Sequence, residues 1–306
     1  MYTQRLARIA TAFVATLVLF GALPSGNALA QDDDGVLRII VFGAHPDDCE
    51  VKASGVGAMW AAMGHQVKFV SVTNGDIGHH LISGGILARR RTEEVEKCSE
   101  ILGTAEALVL DNHDGELMPT LENRKKIARL IRDWQADIVM THRTNDYHPD
   151  HRYTATLVMD AAFMVTVPNF TPDTKRIEHN PVFLYLSDGF QKPYPFEPDI
   201  VVGIDEVADK KWECMAALRS QFSEWNAWHS GYADQVPEDE AGRKAYIASR
   251  FQQRGARVAD QYRDLLVELY GEERGNAFKY AEAFEVSEYG SRPSREQLMK
   301  LFPFFD

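Results

Sequence analysis

The chain has 306 residues, 45% of them hydrophobic and 25% charged, and its 33 Lys+Arg against 45 Asp+Glu give a formal net charge of −12. That balance excludes nucleic acid, heparin-like polymers and anionic membrane surfaces as main partners, because each rewards a basic face. Cys49, Cys98 and Cys214 are too few and too scattered for a disulfide framework, and a chain this long buries a large core without one.

At the N-terminus, Arg5 and Arg8 precede an uncharged apolar run from Ile9 to Leu23, a polar break and the small-residue pattern Ala28-Leu29-Ala30. This composition predicts a signal peptide cleaved after Ala30 and export to the periplasm or medium, leaving residues 31–306 as one domain. The apolar run is shorter than the ~20 residues of a membrane-spanning helix, and no later segment is long and apolar enough to span.

Past the acidic "QDDDG", strand-like and helix-like stretches alternate, which predicts parallel βα units rather than hairpins. "VLRIIVFGA" reads as the first strand, "ASGVGAMWAAMG" as a helix closed by Gly64, and "QVKFVSVT" as the second strand, followed by the glycine-rich loop "NGDIGHHLISGG". A helix from about Ile86 to Leu102 ends at Gly103, and "EALVL" is a third strand. "TLENRKKIARLIRDW" is an amphipathic helix with apolar positions at Leu121, Ile127, Leu130, Ile131 and Trp134. "ADIVMTH" is a fourth strand and "DHRYTATLVMDAAF" another helix. "VFLYLS" and "DIVVGI" read as further strands, "EVADKKWECMAALRSQF" as a helix, and everything from about Ser223 as an aromatic-rich, mostly helical extension. The predicted fold is a three-layer α/β/α sandwich around a mainly parallel, Rossmann-like sheet. Gly55 and Gly57 lack the third glycine of a dinucleotide fingerprint and read as helix-packing positions, and Trp225, Trp228 and Tyr232 read as core aromatics.

Ligands of such sheets sit at the carboxyl ends of the strands. Two histidine-rich loops fall there: "AHPDD" after the first strand and "HRTNDYHPDHR" after the fourth. His45, Asp48 and one of His148 or His151 make two nitrogens and a carboxylate, a set that holds a divalent metal and leaves a position open for water. An aspartate after proline at a helix start is also an ordinary N-cap. Both motifs at strand ends of one sheet argue for the metal.

These residues resemble the LmbE/PIG-L family of zinc-dependent N-acetylglucosaminyl deacetylases. The resemblance rests on "AHPDD" and "HPDHR", with support from "SVTNGDIG", Arg91 and Glu94 of "RRTEEVEKCSEILG", and "KYAEAF", and it is clear over residues 36–165. It implies that His45, Asp48 and His151 hold Zn2+, in a site open to other divalent ions such as Fe2+, and that Asp47 is the general base. It further implies that His148 stabilises the reacting amide or acts as general acid, oriented by Asp150, and that Arg91, His79 and His80 bind substrate. Where some family members carry a tyrosine two residues before the first histidine of "HPDH", this chain has Asp146, followed by Tyr147. The implied activity removes acetyl from an N-acetylated amino sugar or its conjugate, a small-molecule or glycan amide. The alternatives are an amidase for a larger acyl amide and a non-catalytic sugar- or metal-binding relative. A non-haem iron oxygenase shares the two-histidine, one-carboxylate set, but the βα alternation speaks against it.

Overall fold

The runs that read as strands are apolar on both faces, the requirement for a parallel sheet covered by helices on each side. A computed structural model describes residues 34–305; the predicted leader lies outside them. The strands are β1 (Arg38–Gly43), β2 (Gln66–Ser71), β3 (Glu106–Val109), β4 (Ile138–Thr141), β5 (Val182–Leu186), β6 (Ile200–Gly203) and β7 (Ala281–Gly290). They form one sheet in the order β3-β2-β1-β4-β5-β7-β6, parallel except for β7, which runs antiparallel to both its neighbours.

Alternate residues of each strand face opposite layers. Ile39 and Val41 of β1 pack with α1 (Asp48–Ala62), α2 (Gly84–Leu102) and, further along the chain, α5 (Ala208–Ala217). Ile40 and Phe42 pack with α3 (Leu121–Trp134), α4 (Pro149–Met164) and α8 (Arg263–Tyr270). The remaining helices are α6 (Asn226–His229), α7 (Glu240–Gln261), α9 (Glu272–Ala277) and α10 (Arg295–Leu301). Gly55 packs α1 onto the sheet, as its helix-packing reading required: a Cβ there would lie 2.8 Å from Ile204 Cγ2.

The strand order reverses at β1, whose neighbours are β2 on one side and β4 on the other, so the switch point falls between β1 and β4. Phe42 pairs with Thr141 in that ladder. The loops beginning at Ala44 and His142 therefore leave adjacent strands side by side, which brings motifs about a hundred residues apart into one place.

Two expectations need correction. The segment from Ser223 is not only helical, because its residues 281–290 insert as β7 between β5 and β6. Ala and Glu in "AEAFEVSEYG" favour helix, yet Glu282 is buried in this strand and paired with Lys211. Trp228 is not core: it is 52% exposed, with its ring stacked on His80 at 4.8 Å.

Candidate metal centre

At the end of β1 the chain turns through Ala44-His45-Pro46-Asp47 into α1. Asp48, the first residue of α1, folds its carboxylate back onto this loop, where Oδ2 accepts the N–H groups of Ala44 (3.0 Å) and His45 (2.8 Å). Asp47 holds the N-cap position but makes no side-chain capping hydrogen bond, so the ordinary reading of an aspartate at a helix start fails for it. Its buried carboxylate is left for chemistry. Burial and then the Asp48 charge push its pKa up to about 6, against the opposing pull of His45, Arg91 and His151.

The second loop enters α4 with His148 as N-cap and Pro149 in the first turn. His148 Nδ1 accepts the Asp150 N–H at 3.2 Å, which leaves its proton on Nε2. Its ring stands edge-on to His45, 4.5 Å between centroids.

Three atoms converge between the loops. His45 Nδ1 lies 3.2 Å from His151 Nε2, and both lie 3.4 Å from Asp48 Oδ2. Ligands about 2.0–2.1 Å from a tetrahedral zinc sit about 3.3–3.4 Å apart, so the donor set fits the ion. The far side of each ring strengthens the case. His45 Nε2 is 3.1 Å from Asp114 Oδ1 and 3.3 Å from Asp150 Oδ2, and His151 Nδ1 is 3.0 Å from Asp146 Oδ1. One nitrogen turned inward and the other toward a carboxylate is the pattern of metal-bound histidine.

The electrostatics agree with a cation site. Burial alone would lower the His45 pKa, but the carboxylates of Asp114, Asp150 and Asp48 hold it well above its ordinary value. His151 is raised, against burial, by Asp48 and Asp146. Asp48 is held well below the usual carboxylate range, again against burial, by His151 and His142. Without a metal the cluster holds protons that an incoming cation must displace.

Asp150 is placed differently from its implied role. It meets His148 through its backbone N–H, while its carboxylate turns to His45 and accepts the Gly115 N–H at 2.7 Å. As the second residue of α4 it presents its N–H, not its side chain, to the N-cap ring. The residues that sequence reasoning missed are His142, Asp114 and Asp146. His142 follows β4 directly, accepts the Ala44 N–H at 3.1 Å and stacks on His151 with centroids 4.1 Å apart. Position was its signal, since it is the first residue past a strand end that adjoins β1. Asp114 belongs to the polar run "DNHDG" after β3, another strand end.

Arg91 is buried in α2, with Nη2 donating to the Gly78 carbonyl (2.6 Å) and to Gln221 Oε1. Gly75, at φ +69°, makes room: a Cβ there would lie 2.6 Å from Arg91 Nη1. His79 Nε2 is 3.1 Å from Glu224, and its ring stacks on His80. These three residues do not line the cavity above the metal cluster. That cavity measures about 700 Å³; Asp47, Asp48 and His151 line it together with Tyr147, Phe190, Gln221 and the inner face of α7. Another depression of about 500 Å³, lined by residues of α2, α5 and α7, contains none of the metal-ligating clusters found among the described residues.

A family model described as GlcNAc-PI de-N-acetylase, PIG-L, matches residues 40–162, the stretch that carries both loops. A diacetylchitobiose deacetylase of Thermococcus kodakarensis is 32% identical over 200 residues, 63% of this chain and 74% of that protein. This chain belongs to the PIG-L family. Of the solved structures, N,N'-diacetylchitobiose deacetylase from Pyrococcus horikoshii superposes with a TM-score of 0.62 at 23% identity, covering 81% of this chain and 83% of that one. The 4-carboxy-2-hydroxymuconate hydratase of Pseudomonas putida gives a TM-score of 0.65 at 18% identity, covering 84% and 98%. At such identities the likeness is one of fold alone, and this fold carries a hydratase as well as a deacetylase. The expectation of export is overturned: the deacetylases this PIG-L chain matches give it no support, and the leader-like residues 1–30 lie outside the described residues. No helix among the described residues is long and apolar enough to cross a membrane.

Proposed function

We propose that this PIG-L chain is a zinc-dependent hydrolase that removes the acetyl group from an N-acetylated amino sugar of the N-acetylglucosamine type, or from its conjugate. The observation that carries the reading is the triangle of His45, Asp48 and His151 beside a buried aspartate with no capping bond. The related diacetylchitobiose deacetylase supports the substrate class.

His45 Nδ1, Asp48 Oδ2 and His151 Nε2 would hold the ion, with Asp114, Asp150 and Asp146 fixing the two rings from behind. When bound, zinc polarises an amide carbonyl and lowers the pKa of a water to about 7. Asp47 takes the proton of the attacking water; a pKa of about 6 leaves it ionised at neutral pH and still basic enough to accept that proton. His148, with its proton on Nε2, donates a hydrogen bond to the oxygen on which negative charge develops, and Asp47 passes the proton it took from the water to the departing amine. Tyr147, 71% exposed, offers a ring face at the rim on which a sugar packs. Arg91 holds Gln221, which lines the cavity, so its part in substrate binding is indirect, and His79 and His80 stand outside that lining.

The test is to load the protein with zinc, incubate it with a panel of N-acetylglucosamine derivatives, and measure the primary amine released. Release that a chelator abolishes and zinc restores is expected. A metal-loaded protein that frees no amine from any member overturns the reading. Metal analysis of protein purified without added zinc decides between zinc and iron.

A further inference from the structure

Arg90, Arg91 and Glu94 of α2 all grip one short turn of the chain's second half. Residues Ser220–Trp225 form that turn, and its backbone is π-helical, a rare winding that is frequent at functional sites. Glu94 accepts the Ser220 N–H at 2.9 Å and the Ser220 hydroxyl at 2.6 Å, and Arg90 pairs with both oxygens of Glu224, at 2.8 and 2.7 Å. Between these two anchors, Arg91 Nη2 donates to Gln221 Oε1. Of the three gripped residues only Gln221 lines the cavity above the metal cluster, in company with Asp47 and Asp48.

A guanidinium has donors and no acceptor, so the contact with Arg91 decides which end of the Gln221 carboxamide is oxygen. The other end, Nε2, has no hydrogen-bond partner among the described residues, and the half-buried side chain that carries it faces the cavity. The plain alternative is that Gln221 merely covers Arg91. That duty needs one oxygen, which a carboxylate or hydroxyl supplies equally well, and the Arg91 charge is already opposed by Asp47, Asp114 and Glu94. What a carboxamide adds is a pair of N–H donors, held still in the cavity that Asp47 lines.

We propose that Gln221 is a substrate-binding residue whose carboxamide donates to one hydroxyl of the acetamido sugar ring, with Arg91 and Glu94 as the positioning residues that aim it. The contact rests on the deacetylase reading and adds selection for the ring, where the metal and Asp47 act only on the amide. A fixed donor selects through the loss it imposes on a ring lacking that hydroxyl, because its N–H is then left without an acceptor.

The test crosses protein variants with deoxy sugars. Zinc-loaded wild type, Gln221→Met and Arg91→Lys are assayed on N-acetylglucosamine and on its 3-deoxy, 4-deoxy and 6-deoxy analogues. Wild type should lose about 5- to 30-fold in kcat/KM on one analogue, the scale of an unmet donor. Gln221→Met should lose a similar factor on the parent sugar and on the other two analogues, yet within about twofold nothing further on that one. Arg91→Lys should shrink the preference for the parent over the same analogue, a ratio in which any effect on Asp47 cancels. A Gln221→Met loss that is equal on all four sugars marks a structural cap and overturns the contact, as does no loss at all. If Gln221→Met does not fold, Gln221→Glu, which keeps an oxygen for Arg91, takes its place: a change confined to one analogue upholds the contact, and a uniform one overturns it. If no sugar is deacetylated, the deacetylase reading fails, and calorimetric titration of the same sugars decides the contact: a binding loss that Gln221→Met and one deoxy analogue share upholds it, and uniform or absent binding overturns it.

Discussion

Asp47 and Asp48 are neighbours in sequence with opposite environments. One carboxylate is gripped by two backbone N–H groups and three histidines, His45, His142 and His151; the other is buried with no capping bond. Their substitutions should therefore fail differently. Asp48→Ala should lose zinc and, with it, turnover. Asp47→Asn should keep zinc while kcat falls roughly 10²- to 10⁴-fold, the usual contribution of a positioned base. Bound zinc and kcat measured side by side settle it, and an Asp47→Asn protein that is metal-free or fully active refutes the assigned role. The carboxylates behind the rings invite a second measurement. Asp146→Asn should weaken zinc binding about 10- to 100-fold, as loss of an outer-shell partner does; titration against a chromophoric chelator reads this directly, and an unchanged affinity would show that Asp146 does not tune His151. The motif residues were legible because "HPDD" and "HPDH" concentrate ligand types at strand ends. Asp114, Asp146 and His142 were not, because single polar residues in loops are common and only the packing of three strand ends reveals which ones meet.

At the scale of elements, α1 decides where Asp47 and Asp48 point, and its middle is held by an insertion from β7. Glu282 accepts the Gly55 and Val56 N–H groups, both at 2.9 Å, while Lys211 pairs with Glu282 and donates to the Val51 carbonyl at 2.9 Å. Removing one partner of a buried pair strands the other charge, which costs about 3–5 kcal/mol. Lys211→Met should therefore lower Tm clearly, whereas Lys211→Met combined with Glu282→Gln should regain part of the loss. A single variant as stable as wild type in a thermal melt would sink this account. The same pair explains what the sequence concealed. Strands β1 to β6 announce themselves as apolar runs, whereas β7 buries a glutamate that only a lysine on α5 makes tolerable. The lysine stands 71 residues before its partner, beyond the reach of any local pattern. α3 was legible almost to the residue, because Ile127, Leu130, Ile131 and Trp134 share one face and Thr120 caps it by accepting the Asn123 N–H, whereas Leu121 in its first turn stands exposed.

For the whole molecule, the metal cluster couples stability to pH. Asp48 has a lowered folded pKa, so its contribution is present above the ordinary carboxylate range and fades as pH falls through that lowered value. His45 and His151 have raised folded pKa values, so theirs is complete below about 6.5 and is lost as pH rises through the raised values. Metal-free protein should therefore lose stability as the pH climbs past neutrality. Zinc binding runs the other way, because it needs both histidines deprotonated and stabilises the fold according to the ratio of free zinc to its dissociation constant. The gap between zinc-loaded and chelated Tm should widen from about pH 6 to about pH 8 at a fixed, buffered free zinc concentration. Paired thermal melts across that range provide the check. Parallel curves would mean that zinc binding displaces no protons over this range, which contradicts a centre built on His45 and His151. A wider gap that disappears in His151→Ala, while the fold survives at pH 6, would trace the coupling to that ring.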